Sequence, residues 1–288
     1  MKLVTFKGDG GARLGVVVDG DEVVAIDQPR DMLGVIDTGE EGLARVRSAM
    51  ESPRSRKHRL ADLELLAPLP EPRGNVIAIG RNYAAHAQET AKNKAPEPPT
   101  VFTKAITSLT EPFGDIAIDP AISDKIDWEV ELGVVIGRQG ANIKRADARR
   151  YVFGYMALND VTARDIQSAW GGQYFKGKSL DRSSPTGPWI VTADEIGDPQ
   201  NVGLRLRVNG TVKQDGNTRD MIYPIDALIE WVSKGMTLRP GSIIATGTPD
   251  GVGFARTPPE FLKPGDVMET EVEHIGIMRN RIVAAGRD

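Results

Sequence analysis

Apolar and polar positions alternate from the start of the chain. "MKLVTF" and "LGVVVDGDEVVAID" carry the period of two expected of strands, the second folding back at Asp19-Gly20-Asp21. "TGEEGLARVRSAMES" changes to helical spacing, with Leu43, Val46 and Met50 on one face and acids near its start. The Pro-rich "LAPLPEPRG" then interrupts both periods and predicts a boundary, with a small α+β unit over residues 1–68 and a larger one over 69–288. Beyond it, strands are predicted at "NVIAIG", "TVFTK", "VFGYMALND", "GPWIVT", "LRLRVNG", "SIIATG", "DVMETEVEHIG" and "IMRNRIVA". Helices are predicted over Tyr83–Ala91, Ala146–Tyr151, Thr162–Ala169 and Pro224–Ser233. The order is not a regular βαβ alternation, so the expected fold is a β-rich mixed α/β structure with peripheral helices, not a doubly wound parallel sheet.

One further strand breaks the pattern. In "KIDWEVELGVVIG", Asp127, Glu129 and Glu131 share one side and Trp128, Val130 and Leu132 the other, before the run turns wholly apolar. Unpaired carboxylates are costly to bury. Glu129 and Glu131, roughly 6.5–7 Å apart along a strand, could hold a hard cation that prefers oxygen ligands. They could equally form an exposed acidic face. Asp160, at the end of "FGYMALND", is a candidate third ligand or a cap for the helix that follows. Asp127, one pleat earlier, is expected to be a strand-start residue without a role in the site.

Histidine is scarce, with three in the chain. His86 and Glu89 stand at i, i+3 after a Gly-Arg-Asn turn, a spacing that suits a general base with an orienting carboxylate or a plain surface ion pair. "FKGKSLDRSSPTGPW" places Lys176 and Lys178 in a polar loop, where either could meet a carboxylate or an oxyanion. "IATGTPDGVG" lacks the Gly-Lys-Ser/Thr ending of a phosphate loop; its glycines permit close backbone approach to a small ligand, with the Thr248 hydroxyl beside them.

Composition narrows the classes. A net charge of −4 argues against a nucleic-acid surface, and the basic run "SPRSRKHR" is expected to be a solvated helix end. There is no cysteine, hence no disulfide and no thiolate chemistry. No apolar run suits a membrane span and no signal sequence is apparent, so a cytoplasmic protein is expected.

Taken together, "GRNYAAHAQE", "DWEVELGVVIG", "GYMALNDVTARDIQ", "GKSLD…PTGPW", "VNG…QDGNTRDMIY" and "TGTPDGVG…PGD" resemble the fumarylacetoacetate hydrolase family over roughly residues 75–283. The resemblance implies a mixed β-sandwich roll. It further implies Mg²⁺ or Mn²⁺ held by Glu129, Glu131 and Asp160, a His86–Glu89 pair on a lid, an active-site Lys178, and substrate contacts at Arg164, Gln167 and Thr248. Gly80-Arg81-Asn82-Tyr83 stands where fumarylacetoacetate hydrolase proper carries a fourth carboxylate, which places the chain with the shorter members, commonly homodimers. These share the stabilisation of an enolate next to a 2-oxo acid. The implied reaction is cleavage of a C–C bond in a small 2-oxo acid, by hydrolysis of an acylpyruvate, with His86 activating water, or by decarboxylation of oxaloacetate. A 2-hydroxyhepta-2,4-diene-1,7-dioate-type isomerase/decarboxylase and a non-catalytic 2-oxo-acid binder are the alternatives.

Overall fold

The computed structural model describes residues 1–90 and 98–286. The chain opens with an antiparallel ribbon, β1 (Lys2–Gly8), β2 (Gly11–Val18) and β3 (Glu22–Ile26). Two helices follow, α1 (Met32–Thr38) and α2 (Glu40–Glu51), then β4 (Lys57–Arg59). Next come β5 (Val76–Gly80), α3 (Ala84–Glu89), β6 (Thr100–Lys104), β7 (Leu109–Thr110), β8 (Ile116–Ile118), β9 (Ile126–Asp127) and β10 (Val130–Ile136). The middle of the chain forms β11 (Val152–Asn159), β12 (Thr162–Ala163), α4 (Arg164–Ala169) and β13 (Ser184–Thr192). It finishes with β14 (Gly203–Val208), β15 (Thr211–Asn217), α5 (Ile225–Ser233), β16 (Ile243–Ala245), β17 (Val267–Val272) and β18 (Gly276–Ala284).

An eleven-stranded mixed sheet runs β4-β3-β2-β1-β13-β11-β10-β16-β5-β6, with β7 also on β13. A five-stranded sheet, β15-β14-β17-β18-β8, packs against it. Between them lies a core that includes Trp128, Val130 and Leu132 from one side of the acidic segment and Leu204, Leu206 and Met268 from the second sheet. This is the β-rich mixed α/β structure expected. The unit proposed over residues 1–68 supplies β1–β4, joined edge to edge where Lys2 and Leu3 pair with Val191 and Ile190. Its Leu3, Leu14 and Val46 share a second core with Val135, Leu158 and Ile190.

Several elements differ from their expected form. The basic run is no helix end: Lys57–Arg59 is a short strand paired to β3, and Lys57 meets Glu22 across the ladder at 2.8 Å. Pairing with an existing edge overrides the weak helical pattern. The segment expected to be helical from Thr162 begins as β12, since Thr162 pairs with Asp127. Arg145–Tyr151 is a 3₁₀ helix. Tyr83–Ala91 shortens to Ala84–Glu89, and Ala91 lies outside the described residues. The polar β15 is an outer strand on β14, where one face needs no apolar residues.

Candidate active site

The site begins with a break in a strand. β9 ends at Asp127 and β10 starts at Val130, with Trp128 and Glu129 between them. Antiparallel pairing sets Val130 opposite Asn159, so Asp160 emerges beside Glu129, its amide donating to the Glu129 carbonyl at 2.9 Å. The Asn159 side chain accepts from the Glu129 amide at 2.9 Å and fixes the break. Glu129, Glu131 and Asp160 are all buried, with one carboxylate oxygen from each within 4.8 Å of the others. The structure thus brings together all three candidate ligands.

Charges around the three are uneven. Lys178 Nζ donates to Glu129 Oε2 and Asp160 Oδ2, both at 2.8 Å. Lys104 Nζ lies 2.6 Å from Asp160 Oδ1, off the line of a good hydrogen bond. Arg164 Nη2 reaches Glu129 Oε1 at 2.6 Å. Burial alone would push Glu129 up, but Lys178 and Arg164 outweigh it and hold the carboxyl at about 2. Glu131 goes the other way: burial, then the neighbouring Asp160 and Glu129 carboxylates, push it well above the usual range, and the Gly247 amide at 2.8 Å offsets little. Burial would lower the Lys178 ammonium, but Asp160 and Glu129 raise it; at Lys104 burial prevails and lowers it.

Asp127 is not the role-free strand-start residue expected. It is fully buried, and its carboxylate accepts from the amides of Trp128 (2.8 Å), Gly253 (2.7 Å) and Phe254 (3.0 Å) and from Arg164 Nε (2.8 Å). Arg164 is therefore gripped by two acids, with Phe254 over its guanidinium at 4.2 Å and Gln167 Oε1 accepting from Nη1 at 3.1 Å. The odd-numbered alternation marked Asp127 as facing the same way as Glu129. Apart from the adjacent Trp128 amide, its partners lie 37 to 127 residues away along the chain. Lys104 was missed for a similar reason, since a lysine closing "TVFTK" looks like a solvated strand end.

A cleft of about 570 Å³ opens above these groups. His86, Glu129, Arg164, Gln167, Lys178 and Thr248 line it. His86 Nδ1 and Glu89 Oε1 are 2.8 Å apart, and Glu89 Oε2 accepts from the Gly251 amide at 2.9 Å. Glu89 is thereby anchored, and His86 Nε2 is left for chemistry. Thr248 Oγ1 donates to the Val130 carbonyl and accepts from Gln214, so its role is to fix the loop as well as to line the cleft. Of the two loop lysines, Lys178 enters the site and Lys176 is exposed beside Trp170. Gly177 between them packs so tightly that a Cβ would stand 2.5 Å from the Gln167 amide nitrogen.

The residues present fit a divalent cation. The donors are oxygen atoms alone, Glu131 lacks a positive partner among the described residues, and Asp160 Oδ1 accepts no well-aligned hydrogen bond.

Comparison with known proteins agrees with this geometry. The family described as Fumarylacetoacetate (FAA) hydrolase C-terminal matches residues 75–283. Oxaloacetate tautomerase fahd2, mitochondrial, from Xenopus laevis is 40% identical over 98% of this chain and 90% of its own length. Oxaloacetate tautomerase YisK from Bacillus subtilis is 38% identical over 98% of this chain and 100% of its own. Among solved structures, maleylpyruvate hydrolase from Sphingobium sp. SYK-6, in complex with manganese(II) and pyruvate, superposes with a TM-score of 0.82 at 32% identity, covering 99% of this chain and 100% of that one. No helix among the described residues is long and apolar enough to cross a membrane. The chain belongs to the fumarylacetoacetate hydrolase family of enzymes.

Proposed function

We propose that this chain is a divalent-metal-dependent enzyme that interconverts the keto and enol forms of a small 2-oxo acid, oxaloacetate being the first candidate. The observation that carries the reading is that His86, paired with Glu89, lines the same cleft as Glu129, one member of the buried Glu129–Glu131–Asp160 cluster. The tautomerase relatives, similar along nearly the whole chain, support it. Keto–enol interconversion was not among the reactions expected from sequence, because a site built for an enolate does not reveal whether a bond beyond C3 breaks.

A Mg²⁺ or Mn²⁺ ion held by Glu129, Glu131 and Asp160 would supply Lewis-acid polarisation of the 2-oxo group. The chain's own residues do the rest. Glu89 accepts from His86 Nδ1–H, so Nε2 carries the lone pair that takes a proton from C3 of the keto acid. The electrons of the C3–H bond become the C2–C3 double bond, and the proton taken up by His86 Nε2 passes through solvent to the C2 oxygen, leaving the imidazole neutral again. Lys178, kept cationic by Glu129 and Asp160, stabilises negative charge developing on that oxygen. The reverse steps restore the keto form, and no other atom is exchanged.

The test follows the ultraviolet decay of enol-oxaloacetate with Mn²⁺ and with a chelator. We expect protein-dependent acceleration only with the metal, and a kcat loss of about 10²–10⁴-fold in His86→Ala. C–C cleavage is the second reading. The anchored Glu89 favours it, since a fixed His86 could also activate water. Pyruvate release from acylpyruvates without faster tautomerisation would replace the first reading with this one. The expectations of a homodimer and a cytoplasmic location form part of this proposal; gel filtration with light scattering tests the former.

A further inference from the structure

We propose that Arg81 receives the distal carboxylate of the substrate and so restricts the site to short 2-oxo dicarboxylates. The inference rests on the 2-oxo-acid reading above and adds the residue that reads the far end of the molecule.

Four cationic side chains line the cleft: Arg81, Lys125, Arg164 and Lys178. Two of them are committed to the protein's own carboxylates. Arg164 holds Asp127 and Glu129, and Lys178 holds Glu129 and Asp160. Lys125 is exposed, where a charge contact is screened by water. Arg81 is partly buried, and among the described residues its recorded partner is a hydroxyl, not a carboxylate. Among the described residues its one hydrogen bond is from Nη2 to Thr100 Oγ1 at 3.2 Å, and its buried Nε meets no acceptor. A buried guanidinium N–H without an acceptor is costly, and the planar fork of donors matches a carboxylate.

The backbone adds a second argument. Arg81 has φ +56°, a left-handed conformation that disfavours an arginine. Its neighbour imposes it. The Asn82 side chain donates to the carbonyls of Tyr223 (3.1 Å) and Thr246 (2.8 Å) and accepts from the Tyr223 amide (2.9 Å); the Asn82 carbonyl accepts from the Ile222 amide (2.7 Å). Asn82 is 1% exposed. Four bonds to distant segments thus over-determine the turn after β5, and the strained residue they present is a cation at the cleft. Strain that the surroundings enforce at a ligand-facing residue is characteristic of binding sites.

The test uses Arg81→Asn, which suits a left-handed backbone, and Arg81→Lys. The Mn²⁺-loaded proteins are titrated calorimetrically with oxalate, which has no distal group. They are then assayed with oxaloacetate and with its 4-ethyl ester, which has a neutral distal end. We expect Arg81→Asn to retain its melting temperature, to bind oxalate within about twofold of wild type, and to lose about 10–100-fold in kcat/KM for oxaloacetate through KM. Its preference for the free acid over the ester should vanish, and Arg81→Lys should restore part of it. Equal losses on acid and ester, a parallel loss of oxalate affinity, or no change at all would overturn the assignment. A wild-type protein that binds no oxalate with Mn²⁺ would instead overturn the 2-oxo-acid reading, and this inference with it.

Discussion

At Glu131 the protein supplies one amide, from Gly247, while Glu129 and Asp160 each face a lysine. A buried carboxyl so poorly compensated opposes folding unless a cation joins it. Glu131→Gln should therefore raise the melting temperature measured in chelator, and abolish the further rise that Mn²⁺ gives the wild type. An unchanged Mn²⁺ response would remove Glu131 from the ligand set. Asp127 is the opposite case, a charge fully satisfied by three amides and Arg164. Asp127→Asn breaks a buried ion pair and should cost about 3 kcal/mol in urea unfolding, with a loss of activity as Arg164 turns away. The two acids looked alike in the sequence, sharing one strand face. Their difference depends on groups brought from residues 164, 247, 253 and 254, and such partners are invisible to local spacing. Spacing did identify Glu129, Glu131, Asp160, His86 and Glu89 as candidates, and their convergence in one region followed from the family resemblance.

Elements were most legible where burial and period agree. β10 and β11, wholly or almost wholly buried, read plainly as strands. β4 did not, because its polar residues gain their conformation from pairing with β3. The turn over Lys176–Lys178 is the element on which the site most depends, since it carries Lys178 between two acids. It can do so only because Gly177 lies against α4, where a Cβ would also come within 2.8 Å of the Ala163 carbonyl. Gly177→Ala should destabilise by about 1–3 kcal/mol and lower kcat by about 10–100-fold by displacing the Lys178 ammonium. Normal turnover in a folded Gly177→Ala protein would show that Lys178 needs no such placement.

Across the whole molecule, the first strands and the rest of the chain share a sheet and a core. We expect them to unfold together. The four tryptophans all lie beyond residue 68, and the chain has no cysteine, so a dye on Glu51→Cys reports the early segment alone. Both signals should give one urea midpoint. Two separated transitions would mean that the shared core does not couple them.

The Asn82 clamp has a consequence at the same scale. It joins the turn after β5 to residues 141 and 164 positions further along the chain. The shape of the turn is therefore held by bonds made outside position 81. A lineage could exchange the side chain there and inherit a new appetite at the cleft mouth, with the carboxylates and histidine beneath left untouched.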